Sequence, residues 1–282
     1  MGTCASKSAL CTGAPKSPEG QIVIDSTPYL PRHFLEDTNK ALKIKISSER
    51  RPTDGTPTNY PCAGRTKGTA LILNNSNAES RKGATVDVKN VSQLLKAIKF
   101  KTKIVNNLKA NEIVQSIDSF AKNCKAKDVD MCVIVIIGDV KCTADHNKLA
   151  EISGTDSKFL PIVDIIERLS DEQCPQLKGK PKVFFFHGHY YDESHIQTDY
   201  TMKLSLRDMF IANAVLTGKM QKQTMSSYYI QAMCKVFMDE VYEKDLESMI
   251  QNVEQVVYNH DRSTQHTHYD NLYFKKCYFQ AT

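Results

Sequence analysis

The 282-residue sequence lacks several patterns that would assign it to a broad class of proteins. It has no apolar run of about 18 residues, which argues against a membrane-spanning helix, and no secretory apolar region. Its nine cysteines show no regular paired spacing, so we interpret them as reduced thiols in a cytoplasmic protein. Zinc-finger spacing and interleaved basic and aromatic residues are also missing. Nucleic acid is therefore a poor partner for this chain, despite its net charge of +5.

Periodicity divides the chain into regions. Residues 1–59 show no sustained pattern and contain many prolines, which predicts a disordered prosegment. From residue 68 onward, short apolar runs alternate with helical spacing, and the runs at 132–137 and 183–186 have the length of buried strands. This alternation predicts an α/β fold with a mostly parallel central sheet and helices on both faces. The predicted regions after the prosegment are 60–190, a polar linker at 191–207, and 208–282.

An apolar run that ends in a small polar turn occurs at residues 181–189, PKVFFFHGH. With CPQLKGK at 174–180 it resembles the caspase motif C-P-x-L-x-G-K-P-K-x-F-F-x-Q-A-C. The match continues through the strand, and the family's terminal glutamine, alanine and cysteine fall on His187, Gly188 and His189. The resemblance therefore implies that the nucleophile position of this cysteine peptidase family is occupied by His189.

The general base of the family falls on a second altered position. Residues 130–140, DMCVIVIIGDV, resemble the family strand that ends in S-H-G, which places Asp139 where the catalytic histidine is expected. A thiol becomes a nucleophile when a neighbouring imidazole draws it toward the thiolate. A carboxylate that faces an imidazole cannot perform this chemistry. The resemblance thus predicts a caspase homologue without catalytic residues.

Further matches follow in order along the chain, and they identify it as a member of the caspase family. They are GTALILNN at 68–75, SRKGATVD at 80–87, NL at 107–108, GTD at 154–156, SYYIQ at 227–231 and LYF at 272–274. The resemblance implies the caspase-like fold, with 60–190 as the large-subunit-like region, 191–207 as the inter-subunit linker and 208–282 as the small-subunit-like region. After residue 261 the tail is shorter than in the family, and its K-Q-x-P strand is not found.

The substrate pocket of the family holds an acidic side chain with two arginines and the glutamine of Q-A-C. Arg81 matches the first arginine, and His187 takes the glutamine position. Residues 218–226 contain no arginine in place of the second, and lysine lacks the bidentate fork. Arg81 and His187 are therefore predicted remnants of the pocket. A structural role for Arg81 explains its presence equally well.

Two short motifs predict modification. The first residues, MGTCASK, fit the pattern for N-myristoylation at Gly2, with Cys4 as a candidate for palmitoylation; an ordinary start is the alternative. In the linker, IQTD at 196–199 resembles a caspase maturation site that would be cut after Asp199. The following Tyr200 disfavours cleavage, so we expect an uncleaved single chain.

The sequence predicts a catalytically inactive caspase homologue that regulates apoptosis or related proteolytic signalling. Its expected partners are active caspases, or a second copy of itself, which bind through the small-subunit edge. One alternative is a residual or altered hydrolase in which His187, His189 and Asp139 act alone or ligate zinc or iron. Another is a decoy that binds substrates through Arg81. No cofactor is predicted, and the cytoplasm is the expected compartment, with membrane association if Gly2 is acylated.

Overall fold

The computed structural model describes residues 58–61, 68–76, 82–124, 129–141, 150–190, 206–216, 227–260 and 265–279. The strands in these ranges are β1 Gly68–Asn75, β2 Lys101–Asn106, β3 Met131–Lys141, β4 Glu151–Ser153, β5 Phe159–Pro161, β6 Lys182–Tyr190, β7 Met209–Leu216 and β8 Gln265–Leu272. The α-helices are α1 Lys82–Ala97, α2 Ala110–Asn123, α3 Ile162–Glu167, α4 Tyr228–Glu240 and α5 Leu246–His260. No helix in these ranges is both long and apolar enough to span a membrane.

One sheet organises the strands in the order β2-β1-β3-β6-β7-β8. Its first five strands are parallel, and β8 runs antiparallel to β7. The short strands β4 and β5 form an antiparallel extension from the end of β3. In a parallel sheet the carboxyl ends of neighbouring strands meet at one edge, so β3 and β6 deliver their last residues to a common site.

Helices cover both faces of the sheet and enclose two separate cores. Residues of α1, α4 and α5 pack on one face with Val133, Val135 and Ile137 of β3. Residues of α2 and α3 pack on the other face with Ile134 and Ile136. Burial on both faces explains why β3 is apolar along its length and does not alternate with polar residues. The predicted α/β architecture is confirmed.

The helices begin where the sequence provides caps. Ser227 precedes α4, and its Oγ accepts the N–H of Ile230 at 3.2 Å. Glu112 lies in the first turn of α2, and its Oε2 accepts the N–H of Lys109 at 2.8 Å. Such contacts satisfy backbone N–H groups that have no partner within the helix. Apolar residues spaced by four, three and four positions, as on one face of a helix, lie in α5; they are Leu246, Ile250, Val253 and Val257.

A strand that the sequence patterns do not predict follows residue 261. β8 pairs with β7 along its whole length, from Leu216–Gln265 to Met209–Leu272. The strand is rich in polar residues, so it lacks the alternation of apolar and polar residues by which sequence patterns reveal strands. Tertiary contacts stabilise it instead. The ring of Tyr269 stacks on Phe210 with centroids 5.1 Å apart, and its hydroxyl accepts a hydrogen bond from Gln251 of α5.

Candidate functional site

The site that the sequence predicts lies where β3 and β6 end side by side. In the parallel register of these strands Asp139 pairs with His189, and Ile137 pairs with His187. Side chains alternate along a strand, so Asp139 shares the α1 and α4 face of the sheet with Ile137. Asp139 is 5% exposed. The structure describes the backbone of His189 and not its side chain, and it brings these two positions together as the sequence predicts.

A glycine precedes each of these two positions, Gly138 on β3 and Gly188 on β6. Only at Gly188 do the surrounding atoms exclude a side chain. A Cβ on Gly188 would lie 2.3 Å from the carbonyl oxygen of Gly138 and 2.6 Å from a methyl carbon of Val140. A Cβ on Gly138 would make contacts of 3.4 Å with Asn75 and Ile152, which side chains can accommodate. The strands thus approach each other too closely for the alanine that the family has at position 188.

His187 is built into the protein interior and is 1% exposed. Its Nδ1 lies 3.2 Å from the carbonyl oxygen of Ala214, and because a carbonyl only accepts, Nδ1 carries a hydrogen and donates it. Its Nε2 lies 4.0 Å from Oδ2 of Asp87, and its ring stacks on Tyr229 with centroids 5.7 Å apart. Three elements besides β6 therefore fix this imidazole.

Asp87 connects the same polar cluster to α4. It is 1% exposed, and its Oδ1 accepts the N–H of Ser227 at 2.8 Å. Ser227 is the residue that caps α4, so a carboxylate from α1 lies at the positive end of that helix, where negative charge is favourable. Asp87 belongs to a sequence motif, but the sequence does not reveal this role, because the partner lies 140 residues along the chain.

Asn75 holds the neighbouring loops through hydrogen bonds of its side chain. The sequence places this residue in a motif but does not predict these contacts. It ends β1 and pairs in register with Gly138. Its Nδ2 donates to the carbonyl oxygens of Leu108 at 2.7 Å and Ser153 at 3.0 Å, and its Oδ1 accepts the N–H of Leu108 at 2.8 Å. These contacts hold the segments that follow β2 and β4 beside the site.

The thiols of the described residues lie buried away from the strand ends. They belong to Cys124, Cys132, Cys174, Cys234 and Cys277. Burial raises the pKa of Cys124 to about 12, and burial is also the main cause of the raised pKa values of Cys132, Cys174 and Cys234. A raised pKa keeps a thiol protonated at neutral pH and poorly nucleophilic. None of these four thiols has the electrostatic environment of a catalytic cysteine.

Several predicted positions lie outside the described residues, namely Gly2, Cys4, Arg81 and Asp199. For the metal alternative, the described residues contain no group of three or more His, Cys, Asp or Glu side chains that could hold an ion. The side chain of His189 is not among those described.

At the far edge of the sheet, His268 is exposed, and its Nε2 lies 3.3 Å from Oδ1 of Asp270. This hydrogen bond is the main cause of the raised pKa of His268.

A family model described as the caspase domain matches residues 67–278. The chain belongs to the caspase family. Among curated proteins, caspase-1 of Spodoptera frugiperda is 27% identical over 238 residues, which cover 76% of this chain and 77% of that protein. Caspase-2 of Gallus gallus is 25% identical over 226 residues, which cover 69% of this chain and 52% of that protein. The chain thus spans about half the length of caspase-2, but most of the insect relative.

Solved structures confirm the caspase fold. The crystal structure of the Drosophila initiator caspase Dronc superposes with a TM-score of 0.70 at 22% identity, and covers 84% of this chain and 93% of the Dronc chain. The structure of pro-sf-caspase-1 superposes with a TM-score of 0.64 at 21% identity, covering 79% of this chain and 98% of that one. Identities at this level carry the fold and not the activity. The match to the caspase domain makes the chain a member of a cysteine peptidase family.

Proposed function

We propose that this chain is a catalytically inactive caspase homologue that regulates apoptosis or related proteolytic signalling by binding active caspases. The observation that carries the proposal is the register of β3 and β6, which pairs Asp139 with His189. By resemblance to the family motifs, these are the positions of the general base and the nucleophile. A carboxylate beside an imidazole does not generate a thiolate, so the covalent mechanism of the family loses both of its parts.

The contacts of His187 support the loss of the substrate pocket as well. The family's glutamine at this position helps to hold an acidic side chain. The imidazole of His187 already donates its Nδ1 hydrogen to Ala214, and its Nε2 faces a carboxylate of this chain. A second acidic group from a substrate would add negative charge beside Asp87. Arg81 remains a predicted remnant of the pocket, and binding of substrates as a decoy rests on that residue.

The proposed binding surface is the small-subunit edge of the sheet. β8 pairs with β7 on one side, and no described strand pairs with its other side. An edge strand offers backbone N–H and C=O groups to a strand of another chain. An active caspase or a second copy of this chain would bind there. Binding that favours one conformation of the partner shifts its equilibrium, and so raises or lowers its activity.

The catalytic half of the proposal is tested with the pure chain, an Asp-containing fluorogenic peptide and an active-site titrant. We expect neither turnover nor labelling, because loss of nucleophile and base removes several orders of magnitude in rate. Turnover that disappears in His189→Ala would overturn the proposal.

The binding half is tested by mass spectrometry of proteins captured from the native tissue, followed by sedimentation with the caspase that is identified. The variant His268→Glu places a carboxylate on the β8 edge beside Asp270, and Gln173→Glu adds a carboxylate at an exposed position elsewhere. We expect the first to weaken the complex and the second to leave it unchanged. Equal binding by both variants would exclude the β8 edge.

A residual or altered hydrolase is the second candidate, and one observation favours it. Asp139 is buried beside the backbone position of His189, and a buried carboxylate can orient an imidazole as a general base for water. This enzyme would hydrolyse substrates but would not be labelled by an active-site titrant that reacts with thiols. Activity lost in both Asp139→Asn and His189→Ala would support it, and additional loss on chelation would indicate a metal-bound water.

We also propose that the chain is cytoplasmic and associates with membranes through acylation of Gly2, with Cys4 as a second attachment site. One acyl chain gives marginal binding, and two give stable anchoring. On fractionation the wild type should partition into membranes, Gly2→Ala should be soluble, and Cys4→Ser should be retained less well. Identical distributions of the three proteins would exclude lipid attachment.

A further inference from the structure

One segment near the first edge of the sheet carries only positive charge and contains no acidic residue. Residues 88–111 contain six lysines and neither aspartate nor glutamate. This segment covers most of α1, all of β2 and the first two residues of α2. The proposed function makes no use of it, because the altered catalytic positions lie on β3 and β6 and the binding edge lies on β8.

The fold gathers four of these lysines around the free side of β2. Lys96 is in the last turn of α1, Lys99 lies in the turn that follows, and Lys101 and Lys103 are on the strand; all four are exposed. We call these four residues the basic edge. β2 ends the sheet, and among the described strands it pairs with β1 alone.

The charges point to both sides of the strand. Lys103 pairs in register with Leu71, which belongs to the core under α2, so Lys101 and Lys103 lie on that face. Lys96 and Lys99 belong to the end of α1 and to the turn that leads into β2, and α1 packs on the opposite face of the sheet. Ile104 pairs in register with Ile72, which belongs to the core under α1, and 40% of its surface is exposed.

No acidic side chain of the described residues neutralises the basic edge. The ion pairs in these parts of the chain use other cations, for example Lys182 with Asp171 and Lys244 with Glu240. Lys101 and Lys103 are two residues apart on a strand, about 6.6 Å, which is within the Debye length of about 8 Å at physiological salt. The four charges therefore repel one another, and an external anionic surface would relieve that repulsion.

The composition of the edge distinguishes between anionic partners. The lysine ammonium is a compact, strongly hydrated point charge without directional geometry, whereas specific recognition of phosphate groups and nucleic acids favours the bidentate fork of arginine. Residues 88–111 contain no arginine. Within the described ranges, no exposed aromatic side chain lies on α1, β2 or the turn between them to stack on bases. Lysines on an edge strand also oppose the addition of a strand from another protein. These three features fit an anionic partner surface that attracts the lysines through their summed charge and that can take up the apolar side chain of Ile104.

We propose that the basic edge binds anionic phospholipid membranes, with Ile104 at the interface. The β8 edge lies five strand spacings away, about 24 Å, so a chain bound in this way presents β8 to the cytoplasm and keeps it open to a partner. The surface acts without lipid attachment at Gly2, and it would supply the second signal that a single acyl chain needs.

The test measures flotation of the full, unacylated chain with vesicles of phosphatidylserine and phosphatidylcholine mixed about one to two. One variant carries Lys96→Gln, Lys101→Gln and Lys103→Gln. The control carries Lys122→Gln, Lys158→Gln and Lys178→Gln, three exposed lysines elsewhere that give the same net charge. Each lysine near an anionic surface contributes a factor of about five in partitioning, so the first variant should bind about a hundredfold less tightly. The control should remain within a few-fold of the wild type.

Further conditions separate this surface from general charge attraction. Binding should weaken as salt is raised, and vesicles of phosphatidylcholine alone should not bind. Ile104→Ser should weaken binding without changing its salt dependence.

Equal losses in the two triple variants would show that net charge alone is responsible and would overturn the proposal, as would failure of the wild type to bind. Tighter binding to a single-stranded RNA of matched charge than to the vesicles would assign the edge to nucleic acid instead. Thermal unfolding of each variant verifies that it is folded.

Discussion

Asp139 and His189 are register partners, so a thiol introduced at position 189 would face a carboxylate and not an imidazole. We expect His189→Cys to remain inactive toward Asp-containing peptides, because a neighbouring negative charge raises the pKa of a thiol and reduces its thiolate. The rate of alkylation by iodoacetamide as a function of pH measures this effect. Adding Asp139→His to the variant should shift alkylation to lower pH. Peptide turnover by His189→Cys alone would contradict this account of the site.

The glycines at the same strand ends make a second prediction at the scale of single residues. Gly188→Ala should destabilise the protein by about 1–3 kcal/mol, because the new methyl group overlaps the Gly138 carbonyl and the strands must move apart. Gly138→Ala is the matched control and should change stability by less than about 1 kcal/mol. Urea denaturation of both variants measures the difference. Equal losses would show that the close approach of the two strands is not specific to Gly188.

At the scale of elements, α2 depends on a cap from a distant loop. Oδ1 of Asp156 accepts the N–H of Ala110 at 3.1 Å, and this hydrogen bond is the main cause of the lowered pKa of Asp156. A carboxyl group whose pKa is lower in the folded state stabilises the fold above its unfolded pKa, about 3.9. That stabilisation is lost as the pH falls through the folded value.

Asp156→Asn should therefore lower the unfolding temperature at neutral pH, and its difference from the wild type should shrink below about pH 4. Glu172→Gln removes an exposed acid elsewhere and controls for the general effect of charge. Thermal melts from pH 3 to pH 8, in steps of about one unit, measure both variants. A deficit of Asp156→Asn that stays constant across this range would mean that the contact does not depend on ionisation.

Which elements the sequence predicts depends on where their stability arises. The apolar runs of β3 and β6 and the spacing of α5 predict those elements, because burial against the cores requires that composition. β8 escapes prediction, since its stability comes from pairing with β7 and from contacts with α5. At the site, the sequence predicts that positions 139 and 189 converge. It does not predict the collision that excludes a side chain at Gly188, or the links from His187 to Asp87 and Ala214, because these depend on distances between strands.

At the scale of the whole molecule, the two halves on either side of the linker are joined by many contacts. β6 and β7 pair along eight register positions, and Asp87 of the first half holds the N–H of Ser227 in the second. Asp199 lies outside the described residues, and the following Tyr200 disfavours cleavage. We expect the chain to remain intact when it is mixed with active initiator and executioner caspases, as judged by gel electrophoresis and amino-terminal sequencing. A fragment that starts at Tyr200 and is absent from Asp199→Ala would contradict this.

The narrow gap between Gly188 and Gly138 also constrains how this lineage could evolve. Under the proposed function, a peptidase would need both a cysteine at 189 and a histidine at 139, two positions that pair in register. Restoring the family's alanine at 188 lowers stability before any benefit appears. Under the proposed function, random mutation would therefore pass through inactive and less stable intermediates before peptidase activity appeared. For protein engineering, the same property recommends the domain as a carrier that keeps caspase shape.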